Sequence, residues 1–262
     1  MKISYQSFEA EVLETGAYLF SLTKSSKDLI LRGDLNRPTH GGMALLIPYA
    51  NRVKDGEYEF DGIRYVLPKN QEGNAIHGLV LDKRWEIISS SSNSIKLKYT
   101  LKHEGYPTVL ENTVSYSLDT EGLEVLIQVK NSGNRSAPLT VGAHPYFIVS
   151  NDWQILTQGI TLRCKMENKI PTGELIPFNF SQSEREFDDC FIIEGDVKLT
   201  SSYQTVILTR RNMPFIQVYT GIKGAVAIEP MSGAPDAYHN GMGLSIIYPS
   251  EEREFWFKII FT

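Results

Sequence analysis

The chain has 262 residues, a formal net charge of -5 and a pI near 5.6, which argue against nucleic acid or an anionic membrane as its main partner. With 42% hydrophobic and 11% aromatic residues, it can build a large core. The first 20 residues include Glu9, Glu11 and Glu14 and lack the basic start and apolar run of a signal peptide, and no later apolar run could span a bilayer. Cys164 and Cys190 show no metal-ligand spacing, so we expect a reduced, cytoplasmic protein, with a disulfide between them left open.

Short strands separated by turn signals follow one another along the chain. Residues 58–60 and 63–65 form a predicted hairpin around Asp61-Gly62, a favoured turn because both central positions need positive φ. Alternation of apolar and polar residues predicts a strand over 95–101 with one solvent-exposed face, a second hairpin over 114–118 and 123–129, and a last strand over 255–261. No segment shows a helical period with caps at both ends. We therefore predict one all-β domain over residues 1–262, an antiparallel sandwich or barrel.

The most informative segment is 138–147, where His144 stands in an apolar, strand-like run directly before Pro145. Histidine has an unperturbed pKa close to neutrality, so an imidazole in a semi-dry site can give or take a proton. Proline removes a ladder donor and restricts the residue before it, which predicts His144 at a strand end or edge. A hydrogen-bonded core histidine is the alternative interpretation.

A second apolar strand, 225–228, is predicted to end in Glu229, which Pro230 follows. Burial disfavours the charged form of a carboxyl group and moves its pKa toward neutrality, which suits a general base. The alternative interpretation is a strand-end glutamate that faces water.

Three further segments are candidates for ligand contacts. Asn51 and Arg52 follow an apolar run, and an arginine offers a rigid fork of donors for oxygen-rich ligands, although a surface salt bridge is the alternative. His77 is predicted in a loop, where it could simply be solvated. Asp188 and Asp189 lie between aromatic residues, where one could accept hydrogen bonds from ligand hydroxyls or both could belong to a turn.

His77, His144 and Glu229 could instead be metal ligands. The sequence has no His-x-His or His-x-x-x-His pair, and it lacks a glycine-rich phosphate loop, a Gly-x-Ser-x-Gly elbow and a nucleotide fingerprint. We therefore expect no metal and no other cofactor.

Taken in order, these segments resemble the aldose 1-epimerase (galactose mutarotase) family over most of the chain. The resemblance implies a large antiparallel β-sandwich, in agreement with the strand periodicity. The matching segments are Asn51-Arg52-Val-Lys-Asp-Gly56, Tyr58-Glu-Phe60-Asp-Gly62, Leu67-Pro68, Asn74-Ala-Ile-His77-Gly78, Ala143-His144-Pro-Tyr-Phe147, Pro171-Thr-Gly173, Phe187-Asp188, Ile216-Gln-Val-Tyr-Thr-Gly221, Ile228-Glu229-Pro230 and Pro235-Asp-Ala237.

By this resemblance the chain interconverts the α and β anomers of a free aldose by ring opening and reclosure. Glu229 is then the general base, His144 the general acid and His77 a second active-site histidine that bonds the sugar. The family holds sugar hydroxyls at the positions of Asn51, Arg52, Asp188 and Gln217. Tyr146, which lies in the same segment as the acid His144, is a further candidate for sugar binding. We choose Asp188 over Asp189 because it directly follows Phe187. The Pro-Asp-Ala run resembles a divergent branch whose members accept modified sugars, which leaves the substrate sugar open.

Two other functions remain open at this point. A hexose-6-phosphate 1-epimerase would share the sandwich and need a cationic pocket, for which the candidates are Arg64, Lys83, Arg84 and Arg211. A non-catalytic sugar-binding module would need no acid–base pair. Trp85 or Phe215 could stack on the sugar or belong to the core, and His40, His103 and His239 receive no role. The expected partner is a small monosaccharide, with no nucleic acid and no membrane, and the chain is a monomer or a homodimer.

Overall fold

The structure, a computed structural model, describes residues 1–180 and 184–262. Its strands in the first half of the chain are β1 (Lys2–Tyr5), β2 (Phe8–Val12), β3 (Leu19–Lys24), β4 (Lys27–Asp28), β5 (Met43–Leu46), β6 (Arg52–Val53), β7 (Glu57–Phe60), β8 (Ile63–Val66), β9 (Ala75–Ile76), β10 (Glu86–Ser90), β11 (Ser94–Leu101), β12 (Leu110–Leu118) and β13 (Gly122–Asn131). Those in the second half are β14 (Ala137–Leu139), β15 (Gly142–Ile148), β16 (Gln154–Thr157), β17 (Thr161–Glu167), β18 (Ile170–Pro177), β19 (Asp188–Ile193), β20 (Val197–Thr200), β21 (Thr205–Arg211), β22 (Phe215–Tyr219), β23 (Ala225–Met231), β24 (Ser245–Ile247) and β25 (Glu252–Phe261). Within these described residues, the helical segments are a 3-10 turn at Lys54–Gly56 and the single turn α1 (Ala237–Asn240).

Two antiparallel sheets contain most of these strands. The large sheet has eleven strands in the order β1-β2-β3-β5-β15-β23-β22-β19-β17-β18, with β4 paired to β3. The second sheet has eight strands in the order β10-β11-β12-β13-β25-β21-β20-β16. Three two-stranded ribbons complete the topology: β6 with β9, β7 with β8, and β14 with β24. The predicted all-β antiparallel fold is confirmed.

The second sheet shows how the alternating sequence builds the sandwich. Every other residue of β12 is buried, and Val114 and Tyr116 lie opposite Ile127 and Val125 of β13. Their apolar side chains face the large sheet, because alternate residues of a strand point to opposite sides. The Tyr116 hydroxyl donates to the Ala17 carbonyl at 2.8 Å, next to β3 of the large sheet. The core therefore lies between the two sheets.

The hairpin predicted around Asp61-Gly62 is confirmed. Strands β7 and β8 pair from Glu57 opposite Val66 to Phe60 opposite Ile63. Asp61 and Gly62 have φ of 51° and 70°, the positive values that this two-residue turn requires.

The central strands of the large sheet are covered on both faces. The face toward the second sheet, here called the inner face, carries core residues such as Phe147, Val218 and Ile228. The opposite face, here called the outer face, carries His144 and Glu229 on the alternate positions. Because neither face is open to water, β15 and β23 are buried along nearly their whole length, and this burial explains why they read as apolar runs.

The structure corrects the placement of His144 and Glu229 at strand ends. Both lie inside strands: β15 is paired on both sides, and β23 continues past Pro230 to Met231. The ladder between β15 and β23 is interrupted over 143–145. A proline inside β15 is tolerated there because its missing N–H falls where the ladder is already broken.

Candidate active site

The outer face of the large sheet brings the predicted acid and base into contact. Gln217 of β22 lies directly opposite Glu229 of β23, and β15 runs along the other side of β23. His144 of β15 consequently faces Glu229, with 3.2 Å between its Nε2 and Glu229 Oε1. Both side chains are buried, with relative exposures of 5% and 1%. The alternative of a glutamate that faces water is therefore wrong.

Asn51, Arg52 and His77 reach the same place from the small ribbon of β6 and β9. Arg52 pairs with Ile76, and the His77 amide donates to the Asn51 carbonyl at 2.9 Å. His77 adopts a φ of 62° just before Gly78, where an added Cβ would lie 2.2 Å from the Ile47 carbonyl oxygen. Only glycine fits this close approach. The turn after β9 therefore points the His77 ring inward, where it is buried and not solvated.

These elements enclose a cavity of about 330 Å³, a size typical of small-molecule sites. It is lined by Thr39, His40, Asn51, Arg52, Asn70, Glu72, Ile76, His77, His144, Tyr146, Lys169, Asp188, Tyr219 and Glu229. Seven of the eight residues selected from the sequence are among them. The eighth, Gln217, lies behind the lining and donates from Nε2 to Asp188 Oδ1 at 2.9 Å.

Burial opposes charge on both members of the acid–base pair. It raises the pKa of the Glu229 carboxyl well above its usual range; the nearby Asp188 adds to this rise and Arg52 opposes it. Burial also lowers the pKa of the His144 imidazole well below its usual range, and His77 contributes. The two groups are in contact, so they titrate as a pair. The form that burial favours is the neutral pair, in which the one shared proton lies on Glu229.

His77 is a neutral imidazole beside this pair. Burial lowers its pKa to about 3, and the Arg52 guanidinium contributes to the fall. Its ring centroid lies 5.3 Å from that of His144 in an edge-on arrangement. His144 also stacks on Tyr146, with ring centroids 4.8 Å apart. These rings fix the orientation of the His144 imidazole and exclude water from its sides.

The two adjacent aspartates, Asp188 and Asp189, point in opposite directions because they are neighbours on β19. Asp188 lies opposite Tyr219, lines the cavity and accepts the Gln217 amide. Asp189 forms an ion pair with Arg163 at 2.9 Å, away from the cavity lining. The alternation of the strand therefore assigns Asp188 to the cavity.

A charged network borders the cavity opposite the sheet. The Glu72 carboxylate pairs with Arg52 Nε at 3.1 Å and with Lys169 Nζ at 2.7 Å. Lys169 Nζ also lies 3.8 Å from Asp188 Oδ2. Glu72 and Lys169 are about half exposed, which places them at the rim. Sequence reasoning missed both residues.

Several buried polar atoms of the site have no hydrogen-bond partner among the described residues. They include Glu229 Oε2, His77 Nδ1 and Gln217 Oε1. Buried polar groups in proteins are nearly always hydrogen-bonded, so their concentration at one cavity indicates a place for a polar ligand. A molecule with several hydroxyl groups matches this mixture of acceptors and donors.

Other residues considered from the sequence lie outside the cavity lining. Trp85 and Phe215 are core residues, and the aromatic side chains in the lining are Tyr146 and Tyr219. His239 is paired with Asp236, whereas His40, which received no role, does line the cavity. The four cations considered for a phosphate pocket have separate surface contacts: Arg64 with Glu57, Lys83 with Asp82, Arg84 with Glu14 and Arg211 with the Trp256 ring.

Across residues 1–180 and 184–262, no group of three or more His, Cys, Asp or Glu side chains is arranged to hold a metal ion. In the same residues, no helix has the length and apolar character that a membrane crossing requires.

Comparison with known proteins places the chain in a family. The sequence model of the aldose 1-epimerase family matches residues 2–259, and the chain belongs to this family. Among its relatives are the uncharacterized protein YihR of Escherichia coli (strain K12), 28% identical over 96% of this chain and 90% of that protein, and the maltose epimerase of Levilactobacillus brevis, 27% identical over 72% and 67%. Human galactose mutarotase is 30% identical over 56% of this chain and 45% of its own length.

Solved structures share the fold. A galactose mutarotase-like protein from Clostridium acetobutylicum superimposes with a TM-score of 0.88 over 100% of this chain and 94% of its own, at 18% identity. One from Lactobacillus casei gives 0.85 over 100% and 99%, also at 18% identity. The galactose mutarotase-like sandwich expected from the sequence is confirmed.

Proposed function

We propose that the protein is an aldose 1-epimerase that interconverts the α and β anomers of a free aldose. The contact between Glu229 and His144 at the floor of a small polar cavity supports this proposal most directly. Opening a cyclic hemiacetal requires one group to take the proton of the anomeric hydroxyl and another to protonate the ring oxygen. A carboxylate and an imidazolium side by side supply both.

In the proposed reaction, Glu229 takes the anomeric proton and His144 gives a proton to the ring oxygen. The C1–O5 bond breaks, the electron pair of the O1–H bond forms the aldehyde carbonyl, and the C1–C2 bond rotates. Ring closure on the other face of the carbonyl reverses both transfers. The pair holds one proton before and after each step, so the enzyme returns to its starting state without exchange with water.

The sugar has a role in preparing this pair. Burial favours the neutral pair with the shared proton on Glu229, whereas ring opening begins with Glu229 ionised and His144 protonated. The proton would pass directly between Glu229 Oε1 and His144 Nε2, which lie 3.2 Å apart. Sugar hydroxyls that bond the unpartnered Glu229 Oε2 stabilise the ionised pair, because hydrogen bonds to a charged form favour that form.

The remaining lining residues would hold the sugar. Asp188, fixed by Gln217, offers an acceptor for sugar hydroxyls, and Asn51 and Arg52 offer polar groups on the facing ribbon. His77, neutral at working pH, can donate or accept a hydrogen bond through Nδ1. Each buried polar group that loses a sugar partner is left unpaired, and this loss is the basis of sugar specificity.

The charges of the cavity favour an uncharged sugar over a sugar phosphate. The two permanent cations of the lining, Arg52 and Lys169, are opposed by the carboxylates of Glu72 and Asp188. A phosphate would need a cation that is not already paired. This charge balance supports a free aldose as substrate.

Polarimetry tests the proposal. Freshly dissolved α-anomers of glucose and galactose should lose their initial rotation faster with protein than in buffer alone. Glu229→Gln and His144→Asn should each lower this rate by about 10²–10⁴-fold, the usual contribution of a positioned proton-transfer group. If folded variants keep full activity, the assignment is wrong, and if a chelator abolishes wild-type activity, the metal interpretation returns.

A substrate panel separates the alternatives. Rates on free, phosphorylated and sulfonated aldoses should be highest for a free aldose. A higher rate on the phosphorylated sugar would favour a hexose-6-phosphate 1-epimerase. Sugar binding, observed by saturation-transfer NMR, without any faster mutarotation would identify a non-catalytic sugar-binding module.

A further inference from the structure

Asp236, in the segment after β23, makes an unusual set of contacts for a residue that precedes a helix. It is only 3% exposed and has a left-handed backbone, with φ 62° and ψ 26°. It stands at the N-cap of α1, but its carboxylate makes no capping bond to that turn. Its side chain faces the neighbouring ribbon instead.

Two of its hydrogen bonds enclose the backbone that carries Arg52. The Asp236 amide donates to the Arg52 carbonyl at 2.7 Å, and its Oδ1 accepts the Lys54 amide, also at 2.7 Å. The same oxygen contacts His239 Nδ1 at 2.7 Å. One buried residue therefore fixes both the carbonyl of Arg52 and the amide two residues further along.

The position of Arg52 matters for the chemistry. Its guanidinium lines the cavity, donates to the Asn51 side chain at 3.2 Å and opposes the rise in the pKa of Glu229. A backbone shift of about 1 Å at such a residue can cost 10²-fold in rate, because it misplaces the group relative to the reacting atoms.

We infer that Asp236 is a positioning residue for the acid–base site, which acts by clamping the ribbon that presents Arg52. This inference deepens the proposed function and rests on it for its kinetic consequence. Its structural consequence, the fixed place of the Arg52 guanidinium, is independent of any sugar.

The test compares three variants. Asp236→Gly removes the carboxylate while glycine accepts the left-handed backbone without strain. Asp236→Asn keeps an acceptor for the Lys54 amide, and asparagine also tolerates this conformation. Asp119→Ala is the control, because the Asp119 carboxylate likewise accepts backbone amides, those of Glu121 and Gly122, but lies in the turn between β12 and β13 of the second sheet.

The sugar-free readout is the Nε–H signal of Arg52 in a ¹H–¹⁵N NMR spectrum, identified by its disappearance in Arg52→Lys. In Asp236→Gly, the signal should shift and exchange faster with water, whereas Asp236→Asn and Asp119→Ala should leave it as in the wild type. An unchanged signal in Asp236→Gly overturns the inference. If Asp236→Gly does not fold, Asp236→Asn decides. A displaced Arg52 signal in Asp236→Asn overturns the inference, because the retained acceptor would then fail to hold the ribbon, and an undisturbed Arg52 signal supports it.

The kinetic readout adds the link to function. In Asp236→Gly, kcat/KM for mutarotation should fall by about 10- to 100-fold. The alkaline limb of its pH profile should move to higher pH, because a displaced Arg52 no longer lowers the pKa of Glu229. Asp236→Asn should recover most of the loss and Asp119→Ala should show none. If the wild type does not accelerate mutarotation, the proposed function fails and the NMR comparison alone decides the role of Asp236.

Discussion

His144 Nε2 and Glu229 Oε1 are 3.2 Å apart on adjacent strands, and both side chains are buried. With their ordinary pKa values, about 4.3 for glutamate and 6.5 for histidine, such a pair would hold a single proton between those two pH values. Burial penalises both the doubly protonated and the fully deprotonated pair. The pH range over which the buried pair holds one proton therefore extends further in both the acid and the alkaline direction than for a pair with ordinary pKa values.

The pH profile of mutarotation should reflect this widening. We expect kcat/KM to stay level through neutral pH. The midpoint of its alkaline limb should lie above about 6.5, and the midpoint of its acid limb should lie below about 4.3. The measurement is polarimetry from pH 4 to 10, with the buffer-catalysed rate subtracted at each pH. An alkaline limb at or below pH 6.5 would show that the two groups do not titrate as a buried pair.

The two aspartates of β19 should have separable roles. Asp188→Asn should lower kcat/KM about tenfold or more, because the sugar and Gln217 lose a charged acceptor, while the melting temperature changes little. Asp189→Asn should leave kcat/KM within about twofold and lower stability by about 1 kcal/mol through loss of the Arg163 ion pair. Polarimetry and thermal unfolding of both variants provide the check. The reverse pattern would place the sugar on Asp189.

His77 should make the folded protein sensitive to acid. Its pKa is about 3 in the folded state and about 6.5 in the unfolded state. Because the folded value is depressed, the unfolded chain binds a proton first, so the stabilisation is complete above pH 6.5 and is lost as the pH falls through 3. At pH 5 the loss is already about 2 kcal/mol.

Thermal unfolding of His77→Gln tests this expectation. The variant lacks the titrating group, so it should lose less stability than the wild type between pH 7.5 and pH 5. His103→Gln, a change at a loop histidine outside the cavity lining, serves as the control. An equal loss in wild type and His77→Gln would mean that His77 is not buried in its neutral form.

Lys169 should affect sugar binding and not stability. It lines the cavity from the turn between β17 and β18, 3.8 Å from Asp188. Its half-exposed ion pair with Glu72 contributes little to stability. Lys169→Ala should therefore raise KM several-fold with kcat and melting temperature nearly unchanged. Lys165→Ala, which breaks the Glu174 pair on the same hairpin, should change neither KM nor kcat; an equal effect of both would exclude a contact between Lys169 and the sugar.

The fold could be predicted from the sequence where one strand face meets water. The alternation in β11 and β12 predicted these strands because one face of the second sheet is polar. The Asp61-Gly62 turn predicted the separate hairpin of β7 and β8. The interior strands gave a less complete prediction. With β15 and β23 covered on both faces, the sequence shows no alternation there, and we interpreted Pro145 and Pro230 as marking strand ends. That the chain forms one domain over residues 1–262 remains a prediction.

The residues of the candidate site that belong to the family's sequence motifs could be predicted. His144, Glu229, Asn51, Arg52 and His77 lie together as the family resemblance implies. Glu72 and Lys169 could not be found, because they meet only through the pairing of β6 with β9 and the placement of the hairpin of β17 and β18. Asn168-Lys169 between two extended segments signals a turn, but nothing in the local sequence shows which cavity the turn borders.

The large sheet uses the two sides of each strand for different purposes. In β22 and β23, Ile216, Val218, Val226 and Ile228 pack toward the second sheet. Gln217 and Glu229 lie on the outer face, Glu229 in the cavity lining and Gln217 behind it. Substitutions on the outer face can therefore change the lining of the cavity without altering the interior that keeps the protein folded. Evolution or a designer can vary the chemistry of this protein by changing every second residue of a few strands.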